Sequence, residues 1–164
     1  MEPRWLDAEE RAAWLRLVMV LELLPGVLDT QLRRDADLSH FEYFVLAMLS
    51  EAPERTLRMT ALATLTNSTL PRLSHVVSRL EQRGYVERKP CPQDRRATNA
   101  VLTTQGWDKV VDSAPGHVDH VRGQVVDALS REQLAELAEI CDAVLARIPV
   151  AQQMIRARQE MIGE

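Results

Sequence analysis

The sequence has few aromatic residues, few cysteines and no long apolar run. Phe, Trp and Tyr form 4% of the 164 residues, and there are only 6 glycines and 8 prolines. The remainder, rich in Leu, Ala, Glu and Arg, favours a mainly α-helical protein. Two cysteines, Cys91 and Cys141, fit a reducing compartment better than a disulfide framework. No segment approaches the roughly 20 apolar residues of a membrane span, and the acidic start MEPRWLDAEE does not resemble a signal peptide. We therefore expect a cytoplasmic protein that does not contact membranes.

Catalytic motifs are also lacking. The chain contains no phosphate-cradling GxxxxGK, no nucleophile elbow and no complete set of metal ligands. Its acidic residues are spread along predicted helix faces, which is typical of solvated surfaces. We expect no enzymatic activity, no cofactor and no bound metal.

The net charge of −4 conceals a strong asymmetry along the chain. Residues 54–106 contain nine basic and four acidic side chains, a net charge of +5. Residues 1–53 carry −5 and residues 107–164 carry −4. The basic block therefore marks the region where attraction to phosphate would act.

This basic block has a recognisable order of predicted elements. Two short helices, 56–67 and 68–84, precede a strand at 85–89, a charged loop at 90–97 and a returning strand at 98–106. The second helix has two faces when its residues are placed at about 100° intervals. One face is apolar: Leu70, Leu73, Val76, Val77 and Leu80. The other is polar: Ser68, Arg72, Ser74, His75, Ser78, Arg79 and Gln82. A helix that reads DNA needs this arrangement, although any solvated surface helix has a polar face too.

Capping signals predict the remaining helices. Asp7 with Glu10 opens a helix over about 8–34, bent at Pro25-Gly26, and Ser39 with Glu42 opens another that Pro53 stops. Thr103 or Thr104 caps a helix from near Gln105 to about Ala128, with an interruption at Pro115-Gly116. Ser130 with Gln133 opens a helix that ends at Pro149, and a short amphipathic segment follows.

The terminal helices hold more apolar positions than one small domain can cover. Val18, Leu21, Leu24 and Leu28 lie near one end, and Leu137, Ile140, Val144 and Ile148 lie near the other. They either pack on each other within one chain or form a homodimer interface. We favour the homodimer. Cys141, among apolar helical positions, is expected in a core.

Three motifs in order resemble the MarR family of bacterial transcriptional regulators. They are Leu80-Glu81-Gln82-Arg83-Gly84-Tyr85-Val86, then Asp94-Arg95-Arg96, then Leu102-Thr103-Thr104-Gln105-Gly106. Gly84 fits a left-handed helix cap, and Pro71 fits a first helical turn. The resemblance implies a mainly α fold with a small β-wing. A winged helix-turn-helix DNA-binding domain would span residues 37–106, and the N- and C-terminal dimerisation helices would span 1–36 and 107–164.

The resemblance also implies a role for individual residues. The protein would be a DNA-binding regulator, more often a repressor, whose homodimer binds a near-palindromic operator in double-stranded DNA. The second helix would contact DNA through Ser68, Thr69, Pro71, Arg72, Ser74, His75, Ser78 and Arg79. The wing would contact it through Asp94, Arg95 and Arg96, with Arg96 at the tip in the minor groove and Asp94 pairing with Arg96. A small aromatic effector would lie between the dimerisation helices and the winged-helix domain, against Trp14, Val18, Phe41, Phe44, Val45, Met48 and Val111. All seven are equally good core residues.

Three alternatives stay open at this point. The winged helix could bind a protein instead of DNA. His117, Asp119 and His120 could supply ligands at helical spacing to a metal, although they do not complete a four-ligand site. Cys91, beside Arg88, Lys89 and Arg95, could have an acidified thiol that senses oxidants.

Overall fold

A computed structural model describes residues 3–163, so the expected ranges that begin at 1 and end at 164 extend slightly beyond it. Within those residues the chain forms seven α-helices and three strands. In chain order these are α1 (Ala8–Ala36), α2 (His40–Glu51), β1 (Thr56–Arg58), α3 (Met59–Leu65), α4 (Leu70–Gln82), β2 (Val86–Cys91), β3 (Asp94–Leu102), α5 (Thr104–Gln124), α6 (Arg131–Leu145) and α7 (Pro149–Ile162). Single 3₁₀ turns lie at Pro53–Arg55 and Val126–Ala128.

The predicted capping boxes set where three helices begin. Asp7, Ser39 and Ser130 each accept the backbone N–H three residues ahead, and the side chain there bonds back to the cap. Thr103 caps α5 by accepting the N–H of Gly106 at 3.0 Å. Each cap satisfies N–H groups that have no partner inside the helix. These capping signals therefore predicted the first residue of four helices to within one position.

The sheet is larger than the sequence indicated. Its strands are antiparallel in the order β1-β3-β2. The prediction of helix over 56–67 was wrong for Thr56–Arg58, which pairs with Asn99–Val101 as β1. The predicted loop 90–97 was also wrong, because Cys91 pairs with Asp94 and leaves only Pro92 and Gln93 as the connection. In both segments the backbone N–H and C=O groups form hydrogen bonds with β3 instead of within a helix or with solvent. This tertiary pairing overrides the local preference of the sequence.

Two internal prolines do not break their helices. The helix α1 continues through Pro25, and α5 continues through Pro115, so the expected interruption at Pro115-Gly116 was wrong. A proline inside a helix removes one backbone hydrogen bond. Because α5 packs along both α1 and α2, tertiary contacts hold both flanks of Pro115 in one helix.

The hydrophobic core lies mainly between α2, α3, α4 and the sheet. Its fully buried side chains include Leu46, Leu49, Leu62, Leu73, Val77, Leu80 and Val86. Two glycines allow the elements around this core to pack closely against each other. Gly84 adopts a φ of +76° after α4, and a Cβ on Gly106 would collide with the Tyr85 carbonyl oxygen. The two glycines of the motifs around α4 and β3 therefore close the turn and seat α5 against it.

The terminal helices differ in how they pack. The helix α7 returns to the core: it packs on α3, buries Ala151 and Met161, and Arg158 Nη2 lies 2.9 Å from Glu51 Oε2. In α6 no residue is buried, and in α1 none is buried before Gln31. The expectation that Cys141 is a core residue was wrong for the single chain, because its position on α6 leaves it exposed. Along residues 3–163 no helix is both long and apolar enough to cross a membrane.

Candidate nucleic-acid interface

The helix α4 starts from a tight turn after α3. Asn67 has a φ of +46°, a conformation that Asn tolerates better than most residues, and Ser68 N–H donates to the Ala63 carbonyl at 2.9 Å. Thr69 Oγ1 caps the helix, and Pro71 stands in its first turn, where no intrahelical hydrogen bond is lost. These residues set the direction in which α4 follows α3.

The predicted faces of α4 are confirmed with one exception. Leu73, Val76, Val77 and Leu80 are buried, whereas Leu70, which we placed on the same face, is exposed in the first turn. Of the predicted DNA-contacting side chains, Thr69, Pro71, Arg72, His75 and Arg79 are exposed, and Ser68, Ser74 and Ser78 are half-buried. The outer face of α4 therefore presents small polar groups, an imidazole and guanidinium groups along one line.

Two of these arginines are already engaged within the chain. Arg79 Nη2 lies 2.9 Å from Oε1 of Glu42, a buried carboxylate that also caps α2. The Arg72 guanidinium lies over the ring of Phe41, 4.6 Å from its centroid. Both side chains are held against α2 while both residues stay exposed at the surface. Their intrachain contacts preset their directions.

The wing is a short hairpin with basic side chains at its tip. Asp94, Arg95 and Arg96 are all exposed at the start of β3. Asp94 Oδ1 accepts the backbone N–H of Arg96 at 3.0 Å, so the carboxylate holds the backbone of the tip and is not paired with the Arg96 side chain. Among residues 3–163, neither Arg95 nor Arg96 forms an ion pair. Both guanidinium groups are free to meet an anion.

The structure brings α4 and the wing together around a shared cavity. A volume of about 260 Å³ is lined by Met59, Thr60, Leu70, Ser74, Arg88, Arg96, Ala97 and Thr98. It joins one predicted residue of α4, Ser74, to one predicted residue of the wing, Arg96. Sequence analysis missed Arg88 as part of this site. The signal was the alternation along β2, since Arg88 stands two residues after the buried Val86 and so shares its inward face.

Cys91 lies under the wing, not on its surface. Only 2% of the residue is exposed, and Cys91 Sγ lies 3.2 Å from Gln93 Oε1. Burial raises the pKa of the Cys91 thiol, but the backbone N–H groups of Gln93 and Asp94 and the charge of Arg58 outweigh it and hold this pKa below its ordinary value. The thiol is acidified, as the oxidant-sensing alternative requires, yet shielded from solvent.

The joint between α1, α2 and α5 contains three of the four histidines. His117 Nδ1 lies 3.2 Å from Oε1 of Gln31, whose amide donates to Asp35 Oδ2 at 3.0 Å. The His117 ring centroid lies 4.6 Å from that of Tyr43 and 6.1 Å from that of His40. Burial lowers the pKa of His117, and the neighbouring His40 and His120 lower it further. Burial also lowers the pKa of His40, which Asp29 partly offsets. Within residues 3–163 no three His, Cys, Asp or Glu side chains are grouped so as to hold a metal ion.

The residues expected around an effector are not gathered in one cavity of the single chain. Val45 and Met48 are buried, Val18, Phe41 and Phe44 are half-buried, and Trp14 and Val111 are exposed. The cavities along α1, beneath the wing and beside α7 share only Phe44 with this set.

The order of helices, the three-stranded sheet and the basic hairpin define a winged helix-turn-helix protein. Two solved structures from Streptomyces coelicolor share this fold along most of the chain. Sco3205, a MarR family transcriptional regulator solved in complex with DNA, is 46% identical with a TM-score of 0.86, over 90% of this chain and 92% of that chain. AbsC, also a MarR family transcriptional regulator, is 36% identical with a TM-score of 0.85, over 89% of this chain and 98% of that chain.

Sequence comparison points the same way. Residues 36–97 match the MarR family model. The HTH-type transcriptional regulator MhqR of Bacillus subtilis is 33% identical over 76 residues, which are 46% of this chain and 49% of MhqR. The match thus spans about half the length of that curated relative. The protein belongs to the MarR family of transcriptional regulators.

Proposed function

We propose that this protein is a homodimer that binds a near-palindromic operator in double-stranded DNA and regulates transcription, as a repressor in the commoner mode of its family. The observation that carries the proposal is the outer face of α4 standing beside the arginine-tipped wing. The two α4 helices of a dimer would enter successive major grooves, with half-sites about one helical turn apart. Acting on chromosomal DNA would place the protein in the cytoplasm.

Electrostatics and side-chain chemistry support DNA as the partner. The net charge of +5 falls within residues 54–106, the segment that contains α4 and the wing. Arg72 and His75 on α4 would approach base edges, where Arg pairs with guanine, and Thr69 would approach phosphates. Arg95 and Arg96 would meet the minor groove, whose negative potential attracts guanidinium groups.

The uncovered apolar faces support a homodimer. Large apolar side chains on α1 and α6 are exposed in the single chain, among them Leu21, Leu23, Leu137 and Ile140. A cavity of about 680 Å³ between α1 and the segment that joins α5 to α6 is lined mostly by apolar side chains, including Met19, Val20, Leu24, Val27 and Leu129. Contiguous apolar surface of this extent marks an interface, and a second copy of the chain covers it with closed symmetry. The dimerisation region would then comprise 1–36 and 107–164, and the DNA-binding domain 37–106.

An effector would act where these two regions meet. We place a small aromatic molecule beside Phe41 and Phe44 on α2, the helix that contacts both regions. Its binding would change the separation of the two α4 helices and so release DNA. Thermal shifts measured with a panel of phenolic compounds test this part: a ligand that raises the melting temperature should also lower DNA affinity, because it binds the form that does not fit the operator.

The main experiment is selection of bound sequences from random duplex DNA, followed by footprinting on the enriched sequence. We expect a near-palindrome with two protected segments about 10 base pairs apart and additional protection in the flanking minor grooves. A variant with both His75→Ala and Arg96→Ala serves as the matched control and should enrich nothing. If the unaltered protein enriched no sequence even at about 50 mM salt, where phosphate contacts are strongest, the winged helix would have a protein partner instead.

A further inference from the structure

Arg88 is the residue that links the wing to α4. It stands on β2, between the exposed Glu87 and Lys89, and its side chain points towards α4 and is mostly buried. Among the described residues of β2 and β3, Arg88 is the one whose side chain forms hydrogen bonds with α4. This link lies directly between the two parts of the proposed DNA-binding surface.

The contacts of Arg88 are made to three consecutive turns of the helix. Its Nη2 donates to the Ser74 carbonyl at 2.6 Å and to Ser78 Oγ at 2.6 Å. Its backbone N–H donates to Glu81 Oε1 at 2.9 Å, and its Nε lies 3.5 Å from Glu81 Oε2 as an ion pair. A planar guanidinium presents several donors in a fixed fork, so these contacts define a direction as well as a distance.

The contacts also leave Arg88 and Ser78 with little to offer a ligand. The Ser78 hydroxyl accepts from Arg88 and donates to the Ser74 carbonyl at 2.9 Å. Both of its hydrogen-bonding roles are therefore in use before DNA arrives. Arg96 lines the same cavity as Arg88 and Ser74, on the strand that pairs with β2. A change in the Arg88 link would consequently move the wing tip relative to α4.

We propose that Arg88 is a positioning residue. It fixes the angle between wing and α4 so that major-groove and minor-groove contacts form together, and it does not itself contact DNA. This inference rests on the proposed DNA binding. Because α4 and Arg96 are held in one rigid unit, their contributions to binding are coupled: the wing tip strengthens binding only while Arg88 holds it in place.

The test is a double-mutant cycle on the duplex that the unaltered protein selects. We expect Arg88→Ala to lower affinity about tenfold, in line with loss of hydrogen bonds to a charged group, and to lower the salt slope by no more than Arg96→Ala does, because the wing tip is the only charged contact that is lost. In the Arg88→Ala background, Arg96→Ala should lower affinity much less than it does alone. Arg88→Lys should bind nearly as weakly as Arg88→Ala, since an ammonium group cannot bridge Ser74 and Ser78 in the same geometry.

Two matched variants control for charge and for folding. Lys89→Ala removes the neighbouring charge from the opposite face of β2 and should leave the effect of Arg96→Ala intact. Ser78→Ala removes an acceptor of Arg88 and the local bond from Ser78 to the Ser74 carbonyl, with little risk to folding, and should weaken the coupling in the same direction. If Arg88→Lys restored affinity, or Arg88→Ala lowered the salt slope further than Arg96→Ala does, Arg88 would be a phosphate contact and the positioning role would be wrong. Full additivity of Arg88→Ala and Arg96→Ala would overturn it as well.

Hydrogen exchange in the free protein tests the same role without DNA. Amides of residues 86–102 should exchange faster in Arg88→Ala than in the unaltered protein or in Lys89→Ala, because the wing loses its attachment to α4. If the protein selected no duplex, the proposed function would fail while this measurement still decided whether Arg88 holds the wing. Unchanged exchange in Arg88→Ala would refute the positioning role.

Discussion

The winged-helix region at residues 37–106 buries its apolar side chains, whereas the helices α1 and α6 leave apolar side chains of the same types exposed. In the winged-helix region, Leu73 and Leu80 are completely buried within one chain. On α1 and α6, Leu23 and Ile140 are 63% and 60% exposed. Both regions have helical apolar periodicity, so periodicity shows that a face will be covered but does not say whether the same chain or a second copy covers it.

The two regions also differ in charge. The basic block lies in the winged-helix region, whereas residues 1–53 and 107–164 carry −5 and −4. Acidic segments are repelled by phosphate, so a duplex bound by the proposed dimer would contact the winged helices and not the terminal helices. The division of charge does not follow the division of burial, because α2 and α7 belong to the acidic segments and still pack in the core.

The largest effect should come from a charge on the uncovered face. We expect Leu23→Asp to leave the single chain folded, because this side chain is exposed there, but to convert the dimer into monomers. Symmetry places the carboxylate in the interface twice, and unpaired buried charges cost several kcal/mol, so DNA affinity should fall on the order of a hundredfold or more. Sedimentation and titration of the selected duplex measure both effects. The neighbouring change Glu22→Gln is the control, and a Leu23→Asp protein that stayed dimeric would assign this face to another role.

Two glycines of α5 should respond in opposite directions. We expect Gly106→Ala to destabilise the protein by about 2–3 kcal/mol, because a Cβ there collides with the Tyr85 carbonyl oxygen. Gly123→Ala meets nothing within 4 Å and should stabilise it by about 0.5–1 kcal/mol through helix propensity. Urea unfolding at fixed protein concentration measures both. Equal effects of the two substitutions would mean that the contact between α5 and the winged-helix region is loose.

Loss of the wing tip should have a smaller effect, confined to DNA binding. Arg96→Ala is expected to weaken operator binding by about 1–2 kcal/mol and to reduce the salt slope by about one unit per wing, with no change in melting temperature. Fluorescence titrations at several salt concentrations give both quantities. Arg131→Ala, on the exposed start of α6, is the control. Unchanged affinity and slope in Arg96→Ala would show that the wing does not reach the duplex.

The smallest effect should be a pH dependence at the joint between the two regions. The folded-state pKa of His117 lies below its ordinary value of 6.5, so the unfolded chain takes up its proton first as the pH falls. Stability should be full above about pH 6.5 and should decline as the pH falls from there towards the lower folded-state pKa. His117→Gln should flatten this decline, which urea unfolding between pH 5 and pH 8 would reveal. Parallel curves for the two proteins would show that other groups cause the dependence.

Local rules explain what the sequence predicted well. The Asp7, Ser39 and Ser130 capping boxes, the left-handed Gly84 and the first-turn Pro71 each depend on a few adjacent residues. The apolar face of α4 follows from its spacing alone. These features could be predicted because the residues that determine them lie close together in the sequence.

Features that depend on partners far away in the sequence could not be predicted in the same way. The strand β1 exists because β3, more than 40 residues later, pairs with it. The path of α5 through Pro115 depends on packing against α1 and α2. Arg88 was overlooked because its importance comes from Ser74 and Ser78 on another element, and the alternation along β2 indicates only its inward face and not those partners. Non-local pairing, not residue chemistry, separates these cases from the others.

The two cysteines give the molecule a natural pair of chemical reporters. Cys141 lies exposed on α6, while Cys91 is sealed beneath the hairpin. A maleimide added to the native chain should therefore modify one thiol at once and the other only when the hairpin opens. The fast reaction of Cys141 would serve as the reference, and the slow reaction of Cys91 would time the loosening of the wing, in a protein that carries no introduced label.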